Sequence, residues 1–150
     1  MDVSCQCGAV TFRTATPTPL SVYCCHCSQC RRQSSSAFGI SAVFPASALP
    51  VFPDSDVYSP DLRARLDVFT RPGNAGRTLD CYFCRTCGVR VVHRGRGPDG
   101  SPLPRASVKG GLIDGLELKG VSHIWTREAV VPIPEGVVAW PESPPADSRD

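Results

Sequence analysis

Cys25-His26-Cys27-Ser28-Gln29-Cys30 sets three thiols within one short stretch, between two further pairs, Cys5-Gln6-Cys7-Gly8 and Cys84-Arg85-Thr86-Cys87-Gly88. These groups hold seven of the nine cysteines of the chain. Four thiols plus three is the arithmetic of one closed tetrahedral zinc site and one zinc site with an open position. A closed site only holds a fold, whereas an open one can do chemistry.

Each outer pair ends in a glycine, Gly8 or Gly88. A glycine after the second ligand takes positive φ, so the chain curls and aims backbone amides at the sulfur, as in a zinc knuckle. Pairing the knuckles through Cys5, Cys7, Cys84 and Cys87 clips the N-terminal segment to the middle of the chain. The central group differs, because Arg31 rather than glycine follows Cys30. If 22–27 is extended, Cys25 and Cys27 share one face while Cys24 and His26 share the other. Cys30 then swings round on the turn Ser28-Gln29 to complete a three-thiolate set, Cys25, Cys27 and Cys30. The alternative is that Cys24 or His26 adds a fourth ligand and closes this site too. Three thiolates make zinc a weak Lewis acid, and by softness its vacancy favours another sulfur, such as a substrate thiol held as thiolate.

Composition narrows the function classes. Sixteen Lys and Arg nearly balance fourteen Asp and Glu, a net charge of +2. The charges are scattered, so neither nucleic acid nor an anionic membrane is an expected partner. The N-terminus lacks the pattern of a signal peptide, and no apolar run approaches a membrane span, so a cytoplasmic, soluble protein is expected. An odd number of cysteines without a secretory signal argues for metal rather than a disulfide framework. At 150 residues one domain is expected, placed at 1–140 with 141–150 as a flexible C-terminal tail.

Fifteen prolines and thirteen glycines interrupt the sequence, and no window keeps a helical period. Stretches 9–14, 20–23, 38–44, 63–70, 89–94, 105–109 and 121–126 are rich in β-branched and aromatic residues and read as strands. In 63–70 the alternation places Ala64, Leu66 and Val68 on one buried face. Stretches 45–49 and 114–118 read as helical turns and 95–102 as a surface loop. The expected fold is mainly β with few short helical turns.

Other side chains have two readings each. His26 either relays a proton at the site or packs as a structural imidazole. His93 and His123 read as structural imidazoles, with a catalytic role as the alternative. Arg31 and Arg32 either hold the carboxylates of an anionic thiol or form a solvated basic turn. Cys24 and Cys81 read as small buried apolar groups, with metal or redox roles as the alternative, and Trp125 and Trp140 as packing residues rather than ones that stack on a ligand.

Taken in order, the three motifs make the chain resemble the glutathione-dependent formaldehyde-activating enzyme family, the CENP-V/GFA domain. The segments carrying the likeness are Cys5-x-Cys7-Gly8, Cys25-His26-Cys27-x-x-Cys30-Arg31-Arg32, Phe83-Cys84-x-x-Cys87-Gly88, His123-Ile124-Trp125 and the proline-rich 131–134. The resemblance implies a single-domain Mss4-like (β-tent-like) fold with zinc knuckles. It also implies two Zn²⁺ ions, one structural on Cys5, Cys7, Cys84 and Cys87 and one catalytic on Cys25, Cys27 and Cys30. The implied activity is that of a carbon–sulfur lyase, an S-hydroxymethylglutathione synthase-like enzyme that adds glutathione to formaldehyde or releases it, with a small-molecule thiol and an aldehyde as partners. Two departures stand out. Ser35 occupies a position where the family pattern usually has glycine, and Ala129-Val130-Val131 lies where a tryptophan often occurs. Two other functions are compatible with the motifs: a non-catalytic zinc-stabilised binding module, and a tailoring enzyme for another sulfur-bearing or carbonyl metabolite.

Overall fold

The computed structural model describes residues 1–73 and 76–145. A short hairpin of β1 (Asp2–Ser4) and β2 (Thr11–Arg13) pairs antiparallel, with Val3 opposite Phe12. The remaining strands are β3 (Ser21–Cys25), β4 (Gly39–Pro45), β5 (Leu66–Pro72), β6 (Thr78–Cys84), β7 (Arg90–Arg96), β8 (Pro102–Lys109), β9 (Ser122–Ile124) and β10 (Ala139–Trp140). They form one mixed eight-stranded sheet in the order β10-β9-β3-β4-β8-β7-β6-β5. Pairing is antiparallel from β5 to β3 and parallel at β3–β9 and β9–β10. The fold is mainly β, as the composition predicts.

The core lies where the small hairpin meets the sheet. Val3, Val10 and Phe12 join Ala42, Phe44, Val92 and Val108 in one buried cluster. Full burial of a side chain such as Phe44 or Val108 contributes about 1.5–3 kcal/mol. This contact also carries the first cysteine pair to the end of β6, where the third pair begins.

Two α-helices escape the sequence reading. The segment read as the turn Ser28-Gln29 opens α1 (Ser28–Ser34), which has no buried residue and therefore no apolar period to betray it. Its cap is a thiol, since Cys27 Sγ accepts from the Cys30 amide at 3.4 Å. The four residues of α2 (Pro60–Arg63) precede the stretch expected to be strand and overlap it only at Arg63. Ser59 Oγ accepts from the Leu62 amide, and Pro60 sits at the first turn, where its missing N–H costs nothing. The expected alternation of Ala64, Leu66 and Val68 consequently fails: Leu66 is buried, but Ala64 is exposed and Val68 is 38% exposed on the edge strand. β1, β6 and β10 are further strands that the reading omits. The turn expected at 45–49 is a 3-10 turn, Ala46–Ala48. That expected at 114–118 forms instead just upstream, at Gly110–Leu112, where Gly110 packs against Ile40 so closely that a Cβ would stand 2.3 Å from its Cγ2.

The expected tail is divided. Within 141–145, the Glu142 carbonyl accepts from the Trp125 amide at 3.0 Å and Pro144 is buried, while 146–150 lie outside the described residues.

Candidate functional site

Two thiol clusters stand apart in the molecule. Cys5, Cys7, Cys84 and Cys87 bring their sulfurs within 4.8 Å of one another, and so do Cys25, Cys27 and Cys30. In the first cluster Cys5 and Cys7 Sγ are 3.6 Å apart and Cys7 and Cys84 Sγ 3.8 Å. A tetrahedral zinc with bonds of about 2.3 Å requires sulfur separations of about 3.8 Å, so these residues fit that ion. Gly8 (φ 75°) and Gly88 (φ 72°) curl the two loops as expected. The Val10 amide donates to Cys5 Sγ at 3.3 Å. The Val89 amide helps draw the Cys87 thiol down to about 6, toward the ligating thiolate form.

The second cluster sits at a strand-to-helix junction. Cys25 ends β3, the His26 amide bonds the Ile124 carbonyl of β9 at 3.0 Å, and Cys27 caps the helix whose first turn carries Cys30. Glu128 Oε2 accepts from the Ser28 amide at 2.8 Å, a contact across 100 residues that no local pattern announces. Gly39 lets α1 lie on β4, because a Cβ there would meet Cys30 Cβ at 3.3 Å. Three sulfurs this close cannot all ionise without a cation. Hydrogen bonds from Cys25 and Cys30 pull Cys27 down to about 2, and the bond with Cys27 drives Cys25 up. That donor set fits a soft or borderline dication. Cys27 and Cys30 remain partly exposed.

Cys24 and His26 group with His123 instead, on the other side of β3, as the alternation predicts. His26 Nε2 lies 2.9 Å from His123 Nδ1 and 3.7 Å from Cys24 Sγ. Burial lowers both imidazoles and pushes the Cys24 thiol up to about 11. His26 is fully buried and faces His123, a pairing with no signal in sequence. Cys81 is fully buried, as expected.

The residues around the three-thiol cluster were largely invisible in the sequence. A cavity of about 210 Å³ reaches Cys30 and is lined by Arg32, Arg71, Arg90 and His93. Of the two arginines favoured by sequence, Arg32 faces this cavity, whereas Arg31 joins it only in a shallow depression beside Ser28 and Ser35. Lys109 is buried behind the cluster, donating from Nζ to Ser41 Oγ at 3.1 Å. Burial, with Lys109, Arg90 and Arg71 nearby, holds His93 well below the ordinary imidazole range. A wider cavity of about 630 Å³ shares Gln33 and Arg90 with the smaller one, meets Lys109 and runs toward Cys87. Ser35 is the helix C-cap at φ 50°, ψ 39°, so the glycine of the family pattern answers a left-handed backbone at this position.

A mainly β scaffold with two separate cysteine clusters compatible with metal ions defines the class of protein. The chain belongs to the glutathione-dependent formaldehyde-activating enzyme (GFA) family, whose sequence profile matches residues 1–128. It is also similar to a Halomonas elongata protein named "Putative glutathione-dependent formaldehyde-activating enzyme", 31% identical over 90 residues, covering 58% of this chain and 51% of that protein. The chain thus spans about half the length of the curated relative it matches. Among the described residues no helix is long and apolar enough to cross a membrane.

Proposed function

We propose that this chain is a zinc-dependent carbon–sulfur lyase-type enzyme that joins a glutathione-like thiol to an aldehyde such as formaldehyde, or releases it. The observation that carries this reading is the trio Cys25, Cys27 and Cys30, of which Cys27 and Cys30 are partly exposed and which has no fourth protein donor grouped with it among the described residues. Cys5, Cys7, Cys84 and Cys87 would hold a second, structural Zn²⁺ in an Mss4-like scaffold spanning 1–140, in a cytoplasmic protein. When bound at the trio, zinc supplies the Lewis acidity that keeps an incoming thiol deprotonated and nucleophilic at neutral pH. In the addition, the carbon–sulfur bond forms as the carbonyl oxygen takes a proton; breakdown reverses both changes.

The chain's own residues orient and surround that chemistry. The Cys30 amide, donating to Cys27 Sγ, stabilises charge on sulfur. Arg32 offers a guanidinium on the cavity side. His26, being buried against His123, is proposed as a positioning residue for the Cys25–Cys27 segment, and water in the open cavity serves the carbonyl oxygen. A binding module without catalysis needs the trio closed by protein, and Cys24 and His26 point into a different group.

The test uses purified zinc-loaded protein with glutathione and formaldehyde, following adduct formation and breakdown. Acceleration by the wild type and its loss in Cys27→Ser, with the four-thiol zinc retained, is expected. An unaltered rate in the variant would count decisively against the reading.

A further inference from the structure

The wall beside Cys30 carries more positive charge than its surroundings neutralise. Arg32, Arg71 and Arg90 line the cavity together, and no acidic residue lines it. Among the described residues none of these arginines forms an ion pair; Asp2, Asp54, Asp67, Asp80 and Glu142 are each taken by another arginine. Arg90 is held rather than free, with Nη1 3.2 Å from His93 Nε2 and its guanidinium 5.8 Å from the centre of the Phe69 ring. The Arg71 guanidinium donates to the carbonyl of its neighbour Pro72, a neutral partner. Lys109, buried with its Nζ donating to Ser41 Oγ at 3.1 Å, adds no counter-charge. The three arginines remain uncompensated. Positive groups gathered in a cleft without counter-charge are unfavourable until an anion enters.

We propose that this cleft is a carboxylate site, in which Arg71 and Arg90 with Arg32 on the α1 side bind an acidic arm of the incoming thiol while its sulfur reaches the Cys25/Cys27/Cys30 cluster. Guanidinium forks match the planar carboxylate and form the stronger, charge-assisted hydrogen bonds. The volume of about 210 Å³ equals about seven waters at about 30 Å³ each, enough for a carboxylate and a few carbons but not for a whole tripeptide. The substrate class is therefore a thiol bearing a carboxylate a few bonds from sulfur or on a short arm. This assignment rests on the proposed thiol-binding function only for the other end of the ligand.

Zinc-loaded full-length protein and its Arg71→Gln and Arg90→Gln variants would be titrated calorimetrically with 3-mercaptopropionate, 2-mercaptoethanol and S-methylglutathione, which has carboxylates but no free thiol. The wild type is expected to favour 3-mercaptopropionate over 2-mercaptoethanol by at least about tenfold, and each variant to reduce that ratio by about tenfold. S-methylglutathione affinity should fall by about the same factor. Partial recovery in Arg71→Lys, with equal zinc content, ties the loss to charge rather than to misfolding. A ratio that survives both Gln substitutions, or S-methylglutathione binding that ignores them, overturns the carboxylate site. Should no thiol bind while S-methylglutathione still requires both arginines, the thiol reading fails and the carboxylate site stands.

Discussion

The two thiol clusters offer the same atom, a cysteine sulfur, on different backbones, and the difference underlies the proposed division between a structural and a reactive site. Cys5 and Cys7 sit on a loop just beyond β1, while Cys84 ends β6 and Cys87 lies on the loop after it, each loop turned by a left-handed glycine. A tight loop of this kind presents two sulfurs, so two loops make a complete tetrahedron. Cys25, Cys27 and Cys30 instead follow one continuous path from strand end to helix cap to first helical turn. That path delivers three sulfurs and leaves one side to the rest of the fold. Strands β5, β7 and β8 supply the neighbours there: Arg71, Arg90, His93 and Lys109. The neighbours, as much as the ligands, distinguish the proposed clamp from the proposed reaction site.

The sharpest way to break this contrast is to remove one ligand from each cluster. Cys84→Ser is expected to release one zinc per chain and to cost roughly 3–5 kcal/mol, because it unties the hairpin β1–β2 from the sheet. Cys27→Ser should also release one zinc but cost only about 1–2 kcal/mol, since β3 and α1 keep the Gly39 packing and the Glu128 contact. Zinc counts by native mass spectrometry, with denaturant midpoints, check both. Equal stability losses would erase the distinction between clamp and site.

A smaller effect separates the cationic wall from the rest of the sheet. His93 is buried and meets Arg90 on its own strand, Lys109 from β8 and Arg71 from β5, with Cys81 of β6 opposite it. Its folded pKa lies well below that of the unfolded chain, about 6.5. Below that pH the unfolded state binds the extra proton, so the stability His93 allows is complete above about pH 6.5 and declines as pH falls. Replacement by Gln should flatten the stability profile between pH 6.5 and 5 by up to one proton's slope. Identical slopes in denaturant titrations would show that His93 is not held neutral.

The smallest expected change tests the helix end beside the site. Ser35→Gly should raise stability by about 0.5–1 kcal/mol, because glycine adopts the left-handed cap without steric cost. A lower melting midpoint would mean that the Ser35 side chain contributes something its conformation conceals.

Strand content was legible because β-branched and aromatic residues recur at short spacing between Pro and Gly, and each predicted strand overlaps a real one. The errors have separate causes. α1 buries nothing, so it lacks the stripe by which a helix is recognised in sequence. α2 carried a readable start in Ser59-Pro60-Asp61, but the alternation that follows it concealed the signal. Ser35 marked a departure whose meaning, a left-handed cap, required the backbone.

Sequence alone determined which thiols lie together within each motif, since a spacing of one or two residues limits where those sulfurs can go, whereas the meeting of the first and third pairs needed the packing of the hairpin on the sheet. It also determined the separation of Cys24 and His26 from Cys25 and Cys27, because neighbours in an extended strand face opposite ways. Tertiary structure alone decided the company of the open cluster: the His26–His123 pair, the Glu128 contact and the arginine-lined cavity. These join residues far apart in the chain through strand pairing and sheet order, which no local pattern encodes.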